Sequence, residues 1–392
     1  MYMYIGSIVF FVFLFSLTEE LSEGLGLRLD FFLICVVEPA VTVSMKSEET
    51  QEGPVKVMGM ELAPLRIPFH RRLETLAVLQ WELTFLLLGV VIVLASVFLL
   101  FTKYYPVVLL AYLWVYYDRE TPRRGGRRYE WIRHWRVWVH MRNFFPVHLV
   151  KTADLDPGRN HLLGFHPHGI MSMGAFVNFG TEANGFAQKF PGIKPFVLTL
   201  TGWFRLPLAR EYIMMGGGCE VSRESLDWLL GQSGPGNAAV VVVGGATESL
   251  EAQPHKYVVY LSKRKGFVKK ALQHGASLVP VYSFGETDVY VQVPNPQGSF
   301  LRRLQTYLTK AIGFAPPVFH GRGIFNYSMG LLPYRKPIYT VVGKPIPLEK
   351  NPNPSTEEIE EVHATYVASL VALFDEHKTK YGIEEKEMLQ II

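Results

Sequence analysis

Cysteine is nearly absent from this chain: Cys35 and Cys219 are the only two in 392 residues. Two such residues build no disulfide framework, so the folded part is expected in a reducing compartment. Charge is scarce too. Asp, Glu, Lys and Arg make up 19% of the residues, below the usual quarter, while 49% are hydrophobic and 13% aromatic. That balance points towards a membrane. A formal net charge of +4 is too small to argue for nucleic acid. Missing motifs exclude whole chemistries. There is no G-x-x-x-x-G-K-[ST] loop, which removes P-loop nucleotide chemistry. Ser172 stands in G-x-x-S-x-G, one residue too long for the nucleophile elbow of a hydrolase. Gly216-Gly217-Gly218 lacks dinucleotide spacing and reads as a turn. His161, His166 and His168 lie close together, but no Cys or carboxylate falls within that segment to complete a coordination shell, so no metal is expected.

Long uncharged runs are what the chain does have. Leu83 to Thr102 carries no charge over about 20 residues, the length a ~30 Å hydrocarbon core demands. After Lys103, Tyr104 to Tyr117 is a second uncharged run, rich in Tyr and Trp. It is short for a full crossing, so the pair reads as a hairpin that enters and returns, over 78–118, with aromatics at the interface. Both flanks are basic: His70, Arg71 and Arg72 before, and the arginines between Arg119 and Arg142 after. The positive-inside rule then places both flanks, and the bulk of the chain, in the cytosol. Arginines interleaved with Trp131, Trp135 and Trp138 over 119–143 suit a segment lying among anionic headgroups; an ordinary solvated basic face is the alternative. Residues 1–77 form a poorly defined extension. Within it, Met1 to Thr18 is uncharged but lacks the positive start of a signal peptide, and reads as an extra membrane segment or an upstream extension of the gene product. Lys46 to Pro54 is polar and reads as disordered.

Residues 144–392 read as one cytosolic α/β domain, a mixed, mostly parallel sheet flanked by helices. Apolar runs predict strands at His161–Phe165, Pro195–Thr199, Ala238–Val243, Leu278–Phe284 and Ile338–Val342. Ser222 is expected to cap a helix over Arg223–Leu230. Gly275 is expected to stop one over Gly266–His274. Ser355 and Glu358 form a capping box before an apolar stripe of Ile359, Val362, Tyr366, Leu370 and Phe374.

The chemistry is expected at His166-Pro167-His168-Gly169. This turn follows the first of those strands and precedes an apolar stretch, Ile170 to Phe179, that can continue as a helix. Strand–turn–helix order puts the histidines outside the carboxyl end of a strand, where α/β proteins keep their ligands. Pro167 stiffens the turn and Gly169 permits a sharp bend or close ligand approach. An imidazole at a helix N-terminus is biased towards its neutral form, as a general base near pH 7 requires. A rigid turn with solvated side chains is the competing reading. A base histidine needs an orienting acceptor, yet Glu182 is the only carboxylate between Gly158 and Arg210. The strand over Ala238–Val243 ends in Gly244-Gly245-Ala246-Thr247-Glu248. Were it parallel to the histidine strand, Glu248 would reach the same rim. Glu286, after Gly285, is the second candidate; Glu248 is favoured because its double glycine permits close backbone approach.

These residues resemble the type-2 diacylglycerol acyltransferase family, which includes monoacylglycerol acyltransferases and wax synthases. His166-Pro167-His168-Gly169 is similar to its signature. Arg264-Lys265-Gly266-Phe267 through Phe284-Gly285-Glu286 resembles its longest block, and Gly125-Gly126-Arg127-Arg128 its segment after the membrane hairpin. Phe144-Phe145-Pro146 stands where the family has Tyr-Phe-Pro, and Glu220 where it has Pro before Val-Ser-Arg. The resemblance implies a glycerolipid-acyltransferase-like fold and acyl transfer from acyl-CoA, as co-substrate, to diacylglycerol or monoacylglycerol, with no cofactor. It places the protein at the endoplasmic reticulum membrane and lipid droplets, and is compatible with a homo-oligomer. His168 would take the hydroxyl proton, Glu248 would orient the ring, and His166 would be a second polar contact or an oxyanion donor. Backbone N–H groups at Gly169, Gly244 and Gly245 would stabilise the oxyanion. Arg223, Arg264 and Lys269 would hold the CoA phosphates. A wax alcohol acyltransferase and a non-catalytic lipid-droplet lipid-binding protein are the alternatives.

Overall fold

The computed structural model describes residues 55–57, 60–64, 66–312 and 316–392. The expectations for Met1 to Thr18 and Lys46 to Pro54 lie outside these residues. A seven-stranded sheet organises the rest. In chain order its strands are β1 Val147–Lys151, β2 His161–His166, β3 Lys194–Thr199, β4 Gly218–Glu220, β5 Asn237–Val242, β6 Ser277–Phe284 and β7 Ile338–Val342. Across the sheet they run β1-β7-β6-β2-β5-β3-β4. β6, β2, β5, β3 and β4 are mutually parallel. β7 is antiparallel to β6 and carries β1 parallel to itself, so the sheet is mixed and mostly parallel. Every residue of β2 and of β6 is buried, which is why both read as unbroken apolar runs.

The helices follow their local signals. α1 spans Phe69–Leu100, α2 Tyr105–Tyr117, α3 Arg136–Phe144, α4 Gly245–Ser249, α5 Gly266–His274 and α6 Thr356–His377. Gly275, at φ +67, closes α5. Ser355 Oγ accepts the Glu358 N–H at 3.1 Å to start α6. Only half of the capping box forms, because the Glu358 carboxylate accepts from Asn351 instead. The expected helix over Arg223–Leu230 is a capped turn, Arg223–Asp227, that continues as π-helix over Trp228–Gln232.

α1 changes character along its length. Ala77, Val78 and Trp81 are buried in one cluster with Trp138 and Met141 of α3. A π-helical turn follows at Thr84–Leu88. Beyond it Val90, Val91, Leu94 and Phe98 are exposed. Among the described residues, α1 is the one helix long and apolar enough to cross a membrane. α2 returns beside it, Tyr112 lying within hydrogen-bond reach of Ser96, with Leu110 and Leu113 exposed. Its far end is tied to the domain: Arg210 donates to the Asp118 carbonyl at 2.9 Å, and Arg127 pairs with both Asp118 and Glu211.

Candidate active site

β2 delivers the histidine motif at its carboxyl end, between β6 and β5. Gly164 sits mid-strand because something must come close: a Cβ there would lie 1.9 Å from the Tyr366 hydroxyl. Tyr366, on α6, donates that hydroxyl proton to the Gly164 carbonyl at 3.1 Å. Its oxygen also lies 3.1 Å from His166 Nε2. The phenol has one proton, so His166 Nε2–H is the donor there and Nδ1 is a bare acceptor, buried without a partner. Burial holds the His166 ring neutral, pushing it down to about 3. His166 therefore clamps β2 to α6. Its ring is fully buried, with Nε2–H spent on Tyr366.

His168 is different. Its side of the turn is half-buried, and Nδ1 lies 3.1 Å from the Gly169 carbonyl. A carbonyl only accepts, so Nδ1 carries the proton and Nε2 keeps its lone pair. Burial lowers its proton affinity. The expected helix dipole plays little part, since only a three-residue helical turn, Met173–Ala175, follows the motif before a π-helical segment. Desolvation is the cause of neutrality here.

Both candidate carboxylates reach this turn, but neither touches an imidazole. Parallel pairing of β5 with β2 brings Glu248, 2% exposed, to the backbone. It accepts the His168 N–H and the Tyr260 N–H, each at 2.6 Å. The expectation that it orients the ring is corrected accordingly: it fixes the main chain that carries the ring. The double glycine is needed as anticipated, since a Cβ on Gly244 would lie 2.0 Å from the Glu248 carboxylate, and Gly245 takes φ +58. Glu286, at the end of β6, accepts the Gly174 N–H and the Ser283 hydroxyl, each at 3.0 Å. A Cβ on Gly169 (φ +61) would meet Glu286 at 2.9 Å. Two glutamates thus grip the two ends of the segment from His168 to Gly174.

Arg264 lies beside the Gly244 turn, within 3.4 Å of its carbonyl, and favours the anionic form of Glu248. Lys269 is exposed on α5. Arg223 follows β4, three strand positions from β2, roughly 14 Å at ~4.8 Å per strand, and is not drawn to the motif. The roles of the Tyr366 hydroxyl and the Tyr260 N–H went unread in the sequence, though a glycine inside an apolar strand is the signal of a close neighbour.

Burial pushes Glu248 up to about 7 against the pull of its two N–H donors, and Glu286 likewise to about 7. Unfolded, such a group titrates near 4.5, so the folded state binds the extra proton across that window. The contribution of these two groups to stability then falls as pH rises from about 4.5 to about 7. His166 acts in the opposite sense below 6.5. Glu248→Gln should remove one such falling contribution, so the variant's melting temperature minus the wild type's should rise from pH 4.5 to 7. Parallel curves would show that Glu248 is ionised throughout.

With this geometry in hand, the comparisons decide the family. The profile described as "Diacylglycerol acyltransferase" matches residues 97–392. The chain belongs to the diacylglycerol acyltransferase family. Bovine 2-acylglycerol O-acyltransferase 1 is 52% identical over 332 residues, covering 85% of this chain and 99% of its own length. Human diacylglycerol O-acyltransferase 2 is 50% identical over 327 residues, 83% of this chain and 84% of its own. Among solved structures, the 1-acyl-sn-glycerophosphate acyltransferase PlsC of Thermotoga maritima covers 76% of this family member and 95% of its own chain. At 12% identity and a TM-score of 0.34, that likeness is too low to inform the site.

Proposed function

We propose that this family member moves a fatty acyl group from acyl-CoA to the free hydroxyl of a monoacylglycerol or diacylglycerol, a step of triacylglycerol synthesis, at the surface of the endoplasmic reticulum membrane. The observation that carries the mechanism is His168: a neutral, half-buried imidazole whose Nδ1–H is spent on a carbonyl and whose Nε2 is left basic. As the acceptor oxygen attacks the thioester carbonyl carbon, Nε2 takes its proton. The C–S bond then breaks and the proton passes to the leaving CoA sulfur. Glu248 and Glu286 hold the turn in place. No acyl-enzyme, metal or cofactor is drawn on. α1 beyond the π-turn and α2 would lie in the bilayer as a hairpin, bringing the rim to where the acylglycerol diffuses, with the domain and its acyl-CoA supply in the cytosol and access to lipid droplets.

The test supplies labelled acyl-CoA to membranes holding the full chain, with monoacylglycerol, diacylglycerol and a long-chain alcohol in separate reactions, and separates the products by chromatography. Labelled diacylglycerol or triacylglycerol above the blank membranes is the expected result. A labelled wax ester alone would reassign the acceptor, and no ester with any of the three would refute the activity.

A further inference from the structure

The rim that carries His168 continues past the chemistry to the β1 edge of the sheet. Tyr339 of β7 stands in register with Phe284 of β6 on one side and His148 of β1 on the other. A hollow of about 90 Å³ lies between Pro167 and the rings of Tyr339 and Tyr381. The same two tyrosines wall a larger cleft of about 670 Å³ over the edge strand, lined also by Arg142, His148, Glu182, Lys189 and Lys380.

Charge in that cleft is unbalanced. Among the described residues, Arg142, Lys189 and Lys380 have no carboxylate partner: Arg142 donates to Asn143 and the Ala183 carbonyl, and Lys380 lies over the Tyr381 ring. The one acidic lining residue, Glu182, is spent on buried Arg133 at 2.9 Å and on the Ala187 N–H at 3.0 Å. Three rings form a platform: His148 stacks on Tyr339 at 4.8 Å and 9°, and Tyr339 on Tyr381 at 4.3 Å and 18°. His148, exposed at the end of the stack, offers a surface on which a purine can continue it. From β2 to β1 is three strand spacings, roughly 14 Å at ~4.8 Å each, a separation that an extended pantetheine arm bridges.

We propose that this cleft binds the phosphorylated nucleotide end of the acyl-CoA donor, its pantetheine arm running past Tyr339 and Tyr381 to set the thioester beside His168. The assignment rests on the acyltransferase reading above and moves the phosphates to the opposite edge of the sheet from Arg223. Free lysines meet the phosphates as point charges, and the ring stack meets the base.

The experiment measures CoA and dephospho-CoA binding to the detergent-purified full chain by calorimetry, then KM for acyl-CoA, in the wild type and in the charge-reversed Lys189→Glu/Lys380→Glu variant. Both lysines are exposed, so folding should survive, and the melting temperature checks it. CoA affinity is expected to fall, and KM to rise, by about tenfold or more, with kcat falling less. The wild type should prefer CoA to dephospho-CoA, and the variant should lose that preference. Equal CoA binding by wild type and variant, or none by the wild type, overturns the assignment. So does a variant that keeps CoA binding but loses binding to phosphatidic acid vesicles, which would make a lipid headgroup the occupant. Lysine-dependent CoA binding without ester formation would leave the cleft standing and refute only the acyl transfer.

Discussion

His168→Ala is expected to lower kcat for acyl transfer about 10²–10⁴-fold, the usual worth of a positioned general base, while the melting temperature stays near that of the wild type. The two halves of this expectation have separate causes. In the proposed mechanism Nε2 accepts the proton, and alanine has nothing to replace it. The contact that holds the turn, by contrast, runs from the His168 backbone N–H to Glu248, and an alanine keeps it. His166→Ala should behave in the reverse order. Its ring is fully buried and partners Tyr366, so truncation costs on the order of 3 kcal/mol through the cavity it leaves, and activity is lost through instability. Saturating kinetics beside thermal melts separate the two. Turnover within tenfold of wild type in a well-folded His168→Ala protein would refute the base assignment.

Gly164→Ala should be the most damaging single-methyl change in the sheet. The new Cβ would sit 1.9 Å from the Tyr366 hydroxyl and 2.9 Å from its ring carbon, both inside a packed interior with no room to yield. Overpacking of this kind costs about 1–3 kcal/mol, or roughly 1–4 °C in melting temperature for a chain of this length. Tyr366→Phe alone should cost about 1 kcal/mol for its hydrogen bonds. Combined, the two should cost less than their sum, because the phenylalanine removes the atom that the alanine strikes. Simple additivity would mean that the close approach of α6 to β2 is not what the glycine is for.

Central strands were readable because burial on both faces leaves an unbroken apolar run, as in Ser277–Phe284. The outermost strands, β1 and β4, were not. β1 alternates buried and exposed at its start, and Gly218-Cys219-Glu220 has too little apolar character to distinguish an edge strand from a loop. The approach of Glu248 to the motif was readable from strand polarity and the paired glycines. Which atom of His168 the carboxylate meets was not, since ring and amide lie a few ångströms apart and only the turn geometry chooses between them. Tyr366 illustrates a further limit. On a helical wheel it is one more member of an apolar stripe, and its hydroxyl acquires a role only when α6 lies across Gly164. Arg223 and Lys269, read as phosphate ligands, meet the same limit: a lone cation carries no sign of where the chain will bring it.

α1 is continuous from Phe69 to Leu100. At ~1.5 Å per residue, about 30 Å of it lies along the domain, Phe85 reaching Trp203 and Gly89 lying close to the same ring, before roughly 16 Å of largely exposed apolar rod begins. The π-helical turn at Thr84–Leu88 joins the two parts. Were that rod to sit in a bilayer, its length would set the height of the sheet rim above the hydrocarbon. In the proposed acyl transfer, an acylglycerol hydroxyl at its own depth among the headgroups would then meet His168 near one height.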